Sequence, residues 1–284
     1  MVYVLLLLVI MAATHCWRFT AFNHPRFLQA CGGLALAVWV RAALRKRAAT
    51  DPPAILAAVR VLRDFLPFFL ALVLYEALHD LTPLVRPDVV DAKLIAIDRA
   101  VFGVDVSLWL GQFARPWLTH AMVYAYLSYF FAPVLLACVM YWRGDHQLFR
   151  EYMVTLTVVT MLGYVGYLLV PAVGPYVFQA ELFPTRLPGG EQTHFFIRAI
   201  DSFRGVARDC FPSMHTAHTT VVLAFAWRFD KRLFGLYLPI GLGLYVSTVF
   251  LRMHYVVDVA AGFAVSALAI WLGPRVERGW YRKA

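Results

Sequence analysis

The sequence predicts an all-α fold, a polytopic bundle of membrane-spanning helices, on three observations. The chain has 284 residues of which 61% are hydrophobic and only 15% charged. Its mean hydropathy is +0.66. The apolar residues fall in separate runs close to the roughly 20 residues a spanning helix needs. A soluble domain of this length carries far more charge, and one greasy soluble core does not explain several runs of spanning length.

The runs lie at about 2–22, 27–43, 64–82, 118–142, 151–170, 215–229, 233–252 and 255–273. That makes about eight spans, six of them forming a catalytic core, with residues 1–50 as an N-terminal hairpin or bent helix and 51–284 as the catalytic domain. The N-terminus lacks the basic stretch and the small-x-small site of a signal peptide, so it reads as a retained helix. Arg45, Lys46, Arg47, Arg60, Arg63, Arg143, Arg150, Arg228, Lys231, Arg232, Arg275, Arg278, Arg282 and Lys283 fall on one side if the spans alternate. Basic loops face the cytoplasm, so both termini are expected inside.

Two long segments then lie outside. Residues 83–117 have helical apolar spacing but are too polar to span, and read as one or two interfacial helices. In residues 171–214 Pro and Gly break regular structure early, and the stretch FFIRAIDSFRGV reads as a short amphipathic helix. Trp109, Trp117, Tyr141, Trp142, Tyr176 and Trp271 near run ends form an expected interfacial belt.

The pI of about 9.6 does not imply a nucleic-acid partner, because the cations sit between apolar runs where they meet lipid head groups. Cys16, Cys31 and Cys138 lie inside apolar runs and only Cys210 in an expected aqueous segment, so no disulfide framework is expected.

Two motifs share one expected membrane face. Phe211-Pro212-Ser213-Met214-His215 stands at the mouth of the sixth run, with Pro212 suited to the first helical position. Ser213 and the free amides of that turn make an anion site, with His215 beside it. His254-Tyr255-Val256-Val257-Asp258 opens the eighth run. Four residues apart on a helix, Asp258 can accept a hydrogen bond from His254, fixing its tautomer and leaving the other nitrogen as base or nucleophile. A carboxylate at a membrane helix end is costly unless paired, which marks Asp258 as functional.

Pro-Ser-x-His followed after 38 intervening residues by His-x3-Asp resembles the type 2 phosphatidic acid phosphatase superfamily. That resemblance implies His254 as a nucleophile forming phosphohistidine, Asp258 as its orienting partner, His215 as the acid on the leaving oxygen, and Ser213 at the phosphate. The chain departs from the family pattern: Met214 replaces a glycine, Thr248 replaces an arginine after Ser247, and residues 151–212 contain no lysine, so Lys-x6-Arg-Pro is missing. Arg252 and Arg208 are the substitute cations, and His218, one turn after His215, is a further candidate for substrate contact. Gly174-Pro175-Tyr176, the Asp98-Arg99-Ala-Val-Phe-Gly103 segment and Tyr75-Glu76 resemble the inositol phosphorylceramide synthase branch, whose members pass a phosphoryl head group to an alcohol. Glu76, with His79 and Asp80 at the outer end of the third run, is expected to position an acceptor hydroxyl or an arginine.

The expected activity is a lipid phosphotransferase at the extracytoplasmic face of the membrane, a cell inner membrane by expectation, with no metal and no other cofactor. Its partners are a phospholipid or lipid phosphate and the bilayer. The alternative is a phosphohydrolase acting on phosphatidate, phosphatidylglycerol phosphate or a polyprenyl pyrophosphate. Two other classes fit less well. A zinc hydrolase using His215, His218, His254 and Asp258 leaves Pro-Ser without a role. A transporter using Glu76 and the histidines as a proton relay fits no better.

Overall fold

The computed structural model describes residues 61–281 apart from 63, 67, 69–70, 72–74, 76–77, 79–80, 184–185 and 205–207. The runs at 2–22 and 27–43, the domain boundary at 50/51, and Glu76, His79 and Asp80 lie outside the described residues. The chain forms two compact units, Met1–Pro87 and Asp88–Ala284. Within the first, residues 81–85 are helical and the Arg86 amide closes on the Thr82 carbonyl at 2.9 Å.

The second unit holds α1 (Asp91–Phe102), α2 (Val106–Gly111), α3 (Pro116–Trp142), α4 (His146–Leu169), the single turn α5 (Pro175–Phe178), α6 (Gly190–Arg204), α7 (Met214–Phe229), α8 (Lys231–Phe250) and α9 (Val256–Tyr281). Among the described residues the only β pairing is an isolated parallel bridge between Ala172 and Asp209. The fold class is therefore all-α.

Local chemistry sets the helix starts. Pro116 occupies the first turn of α3, where a missing N–H costs nothing. Asp145 accepts from the Leu148 amide at 3.1 Å to cap α4, and Asp230 accepts from Arg232 at 2.8 Å to cap α8. Gly103 ends α1 in the left-handed region at φ 72°.

Helices α3, α4, α8 and α9 are long and apolar enough to cross a membrane. Their lengths, at about 1.5 Å per residue, match or exceed a hydrocarbon core of about 30 Å. The sixth run forms α7, 16 residues, which at that rise spans only about 24 Å. Trp117 and Trp142 bracket α3, 70% and 81% exposed, and Phe130, Phe131 and Leu135 between them also face outward. Outward apolar side chains between terminal aromatics are what a lipid-facing helix presents.

Glycines bring α4, α7 and α9 together. A Cβ on Gly163 or Gly166 of α4 would overlap Met214 or Pro212, and one on Gly262 of α9 would lie 2.6 Å from the Ser213 carbonyl oxygen. Close backbone approach at small residues is how helices associate without a hydrophobic driving force.

The two ends of the bundle differ in chemistry. At one, Arg143 pairs with Asp230 at 2.6 Å, Arg228 with Glu151 at 2.6 Å, and Arg150 with Glu277 at 3.1 Å. These pairs join the end of α3, the start of α4, the α7–α8 junction and the end of α9. Arg143 holds the Asp230 carboxyl below the usual carboxylate range through its hydrogen bond. Glu151 and Glu277 are buried while their arginines stay partly exposed, so each arginine supplies the countercharge to a buried carboxylate from the bundle's rim. The opposite end holds the starts of α7 and α9, the end of α4, and the segment 170–190, whose Leu187 packs with Ile197 of α6 against Val123 and Tyr126 of α3.

Candidate active site

The two histidine motifs meet at that second end. His215 Nδ1 lies 3.2 Å from His254 Nε2. His254 Nδ1 lies 2.9 Å from the Cys210 carbonyl oxygen, which can only accept, so Nδ1 carries the proton and Nε2 presents its lone pair. His215 Nδ1–H is then the donor in the contact between the two rings. The sequence alone placed His254 on the helix with Asp258 as its hydrogen-bond partner. In the structure His254 precedes α9, its proton goes to a backbone carbonyl, and Asp258 Oδ2 stands 3.5 Å from Nδ1 as a close countercharge.

Asp258 is fully buried. Its Oδ2 accepts the Tyr255 amide at 2.8 Å and the Cys210 thiol at 2.8 Å. Cys210 corrects a second expectation. It is not in an aqueous segment but fully buried between His254 and Asp258, its amide tied to the Ala172 carbonyl at 3.0 Å. Neither Cys210 nor Cys138 forms a disulfide.

Ser213, fully buried, is the N-cap of α7, with Oγ accepting the Thr216 amide at 3.4 Å and the Thr216 hydroxyl at 3.2 Å. Pro212 therefore precedes the cap rather than opening the helix. The Ser213 amide donates to the Asp258 carbonyl at 3.0 Å, which ties the start of α7 to the first turn of α9. Met214, at the position of the family glycine, lies over Gly163 of α4.

His215 is half-buried between two tyrosine rings of α3, with centroids 4.3 Å from Tyr126 and 4.2 Å from Tyr129. His218, one turn further along α7, is held by Thr160 and Tyr129. Thr160 Oγ1 donates to the Leu156 carbonyl at 2.7 Å and so accepts from His218 Nε2–H at 2.8 Å. His218 Nδ1 is left to accept the Tyr129 hydroxyl at 3.2 Å. Both nitrogens of this buried ring are thus engaged within the bundle.

Arg252 adopts φ 66°, a left-handed conformation uncommon outside glycine. Its carbonyl accepts the Tyr176 amide at 2.7 Å and its guanidinium lies over Phe183 at 4.0 Å, beside Gly111. Burial lowers its pKa. Thr248, where the family arginine would stand, turns its hydroxyl to the Tyr245 carbonyl at 2.8 Å while its carbonyl receives the Met253 and His254 amides. Arg208 is half-buried two residues before Cys210.

Helix α1 carries two acids that sequence reading left without a role. Asp91 accepts the Val173 amide at 3.0 Å, the Gly174 amide at 2.8 Å and the Tyr255 hydroxyl at 2.9 Å. Asp98 accepts the Val256 and Val257 amides at 2.7 and 2.9 Å and so caps α9 from outside its own chain segment. Burial raises the Asp98 carboxyl above its ordinary value, against the pull of those two amides. Burial and the neighbouring Asp91 also raise the Tyr255 phenol. Seven residues apart, Asp91 and Asp98 share one helix face, a spacing that was legible. Tyr126 and Tyr129, three apart on a span, carried the same signal.

Cys210 Sγ, His254 Nδ1 and Asp258 Oδ2 lie within 4.8 Å of one another and form the one donor set among the described residues that could take a metal ion. It is not the set His215, His218, His254 and Asp258, since His218 is committed to Tyr129 and Thr160.

Residues 92–272 match the family model of the PAP2 superfamily. Over 201 residues the chain is 26% identical to the phosphoinositol dihydroceramide synthase of Bacteroides thetaiotaomicron, covering 64% of this chain and 66% of that protein. No solved structure matches.

Proposed function

The chain belongs to the PAP2 superfamily, and from that premise we propose that it is an integral membrane phosphotransferase that moves a phospholipid head group through a phosphohistidine on His254. The observation that carries this reading is the 3.2 Å contact between His215 Nδ1 and His254 Nε2, with the His254 proton fixed on Nδ1. In the first step the Nε2 lone pair bonds to phosphorus, the bond to the departing lipid oxygen breaks, and His215 gives that oxygen its proton. Positive charge growing on the His254 ring is met by the Cys210 carbonyl and Asp258. In the second step an acceptor hydroxyl passes its proton to His215, its oxygen bonds to phosphorus, and the P–N bond breaks. Ser213, Arg252 and Arg208 are proposed to serve the phosphate oxygens, where phosphoryl transfer is chiefly stabilised. His218 acts on His215 through Tyr129 rather than on the substrate, and Glu76 is retained as a candidate for the acceptor. No metal takes part in either step.

The donor is proposed to be a phosphodiester such as phosphatidylinositol, and the acceptor a lipid alcohol. The relative's name supports this, and so does charge. A diester carries one negative charge, and the chain lacks the two cations of Lys-x6-Arg-Pro that would grip a dianionic monoester. Purified enzyme should transfer a labelled head group from phosphatidylinositol to a ceramide-type hydroxyl faster than it frees inorganic phosphate from phosphatidate. A strong preference for phosphatidate or a polyprenyl pyrophosphate, with no competition between alcohol and water, would overturn the transferase reading in favour of the phosphohydrolase.

The site is proposed to face away from the cytoplasm, in a cell inner membrane. Arg143, Arg150 and Arg228 gather at the end of the bundle opposite His215 and His254, as the basic-inside rule requires of that arrangement. Single cysteines at Gly189 and Lys231 should react with an impermeant maleimide from opposite sides of sealed vesicles, Gly189 from outside. Reaction of both from one side would overturn this orientation.

A further inference from the structure

Resting on the reading of His254 as nucleophile, we propose that Cys210 is a positioning residue, its thiol proton holding the Asp258 carboxylate against His254 while its carbonyl fixes the His254 tautomer.

The two contacts come from one residue and reach both members of the catalytic pair. The carbonyl accepts His254 Nδ1–H at 2.9 Å. The sulfur lies 2.8 Å from Asp258 Oδ2, short for a thiol donor, and 3.6 Å from His254 Nδ1. With Nδ1–H given to the carbonyl, His254 does not hold Asp258 in place by a direct bond. The carboxylate is held by the thiol and by the Tyr255 amide. Its Oδ1 has no hydrogen-bond partner among the described residues. A fully buried carboxylate with one oxygen unsatisfied depends on the donors its other oxygen has. Losing the thiol proton frees Oδ2 to rotate about the Cβ–Cγ bond, away from the ring whose positive charge it must meet during attack on phosphorus. Cys210 itself cannot follow, because its amide is bonded to Ala172 beside the Ala172–Asp209 bridge. Small size and a single donor proton are what the position demands, which serine shares with cysteine and alanine does not.

The test compares Cys210→Ala, Cys210→Ser and His254→Ala with wild type, each purified in detergent and checked for a monodisperse profile and thermal stability. Cys210→Ala is expected to lower kcat about tenfold with KM unchanged, the effect of one lost hydrogen bond to a charged group. Cys210→Ser is expected to stay within about threefold of wild type. Equal kcat in all three Cys210 forms overturns the proposal, and so does a serine variant as slow as alanine, which would mean that packing and not the proton matters. His254→Ala separates the premises: if it is inactive while Cys210→Ala is normal, only the role of Cys210 falls, whereas turnover in His254→Ala removes both. Should the alanine variant not fold, the S–H stretch of Cys210, isolated by infrared difference against Cys210→Ser, supplies the test in wild type. It should lie at the hydrogen-bonded, low-frequency end and rise in Asp258→Asn. A free-thiol frequency in the wild type overturns the proposal.

Discussion

Replacing His254 with alanine is expected to remove turnover by on the order of a thousandfold or more, since residues that act as a unit in covalent catalysis lose nearly everything singly. No neighbour can substitute. Asp258 lies behind the ring on the Nδ1 side, and His215, whose Nδ1 proton points at His254 Nε2, is oriented to donate and not to attack. Vanadate, which takes up the trigonal-bipyramidal geometry of the phosphorus in flight, should inhibit the wild type. Chelation should leave activity unchanged. The chelator arm matters because Cys210, His254 and Asp258 are a donor set a soft ion could use. Activity lost to EDTA and restored by zinc would move the chemistry from phosphohistidine to metal, whereas residual turnover in His254→Ala would remove the nucleophile reading without favouring that metal set, of which His254 is a member.

Gly163→Ala is also expected to lower stability and activity, with the sign opposite to the usual one. Alanine in a helix is normally worth roughly 1 kcal/mol over glycine. At Gly163 the new methyl would enter the space of the Met214 sulfur, and Met214 is the residue between the Ser213 cap and His215. Overpacking of this kind costs about 1–3 kcal/mol, here because the buried Met214 side chain must find another place beside the first turn of α7. The loss should be recovered by a second change, Met214→Ala, because the obstacle is a side chain. Gly262→Ala should have no such rescue, since its methyl meets the Ser213 backbone oxygen at 2.6 Å. Thermal stability and kcat of Gly163→Ala, Met214→Ala and the pair give the coupling directly. Additive losses would show that Met214 and Gly163 do not share one space.

The helical class and the meeting of the two motifs were legible because both rest on local pattern. Runs of spanning length gave four helices at close to the expected places, and the alternation of basic ends put the motifs at one end. What was not legible depends on contacts distant in sequence. Nothing in the spacing of Pro-Ser-x-His and His-x3-Asp says that the proton of His254 goes to the carbonyl of Cys210, 44 positions away. Isolated in an apparent loop, Cys210 read as a solvent-side thiol because the Ala172–Asp209 bridge that draws it inward is a pairing between segments with no strand signal of their own. The partners of His218 were hidden for a related reason. Its place one turn from His215 is real, but the rotation of α7 turns it toward Thr160 and Tyr129. Glu76 lies outside the described residues, so its part in the site stands as proposed from sequence.

The two helices that start at the site are closed by groups of different charge. The first turn of α9 has its amides taken by the Asp98 carboxylate, while that of α7 is capped by the neutral hydroxyl of Ser213. A helix start is a positive pole, and a carboxylate placed on it cancels that pole. The bundle therefore presents an arriving anion with one live pole and one extinguished, a few residues from the same pair of histidines. On the proposed reading a phosphate group would be drawn to the α7 side, where His215 stands, and away from the α9 side, where Asp98 and Asp258 stand. For the proposed donor, each further negative charge would be met by the same two acids, a ceiling on the charge of the group transferred.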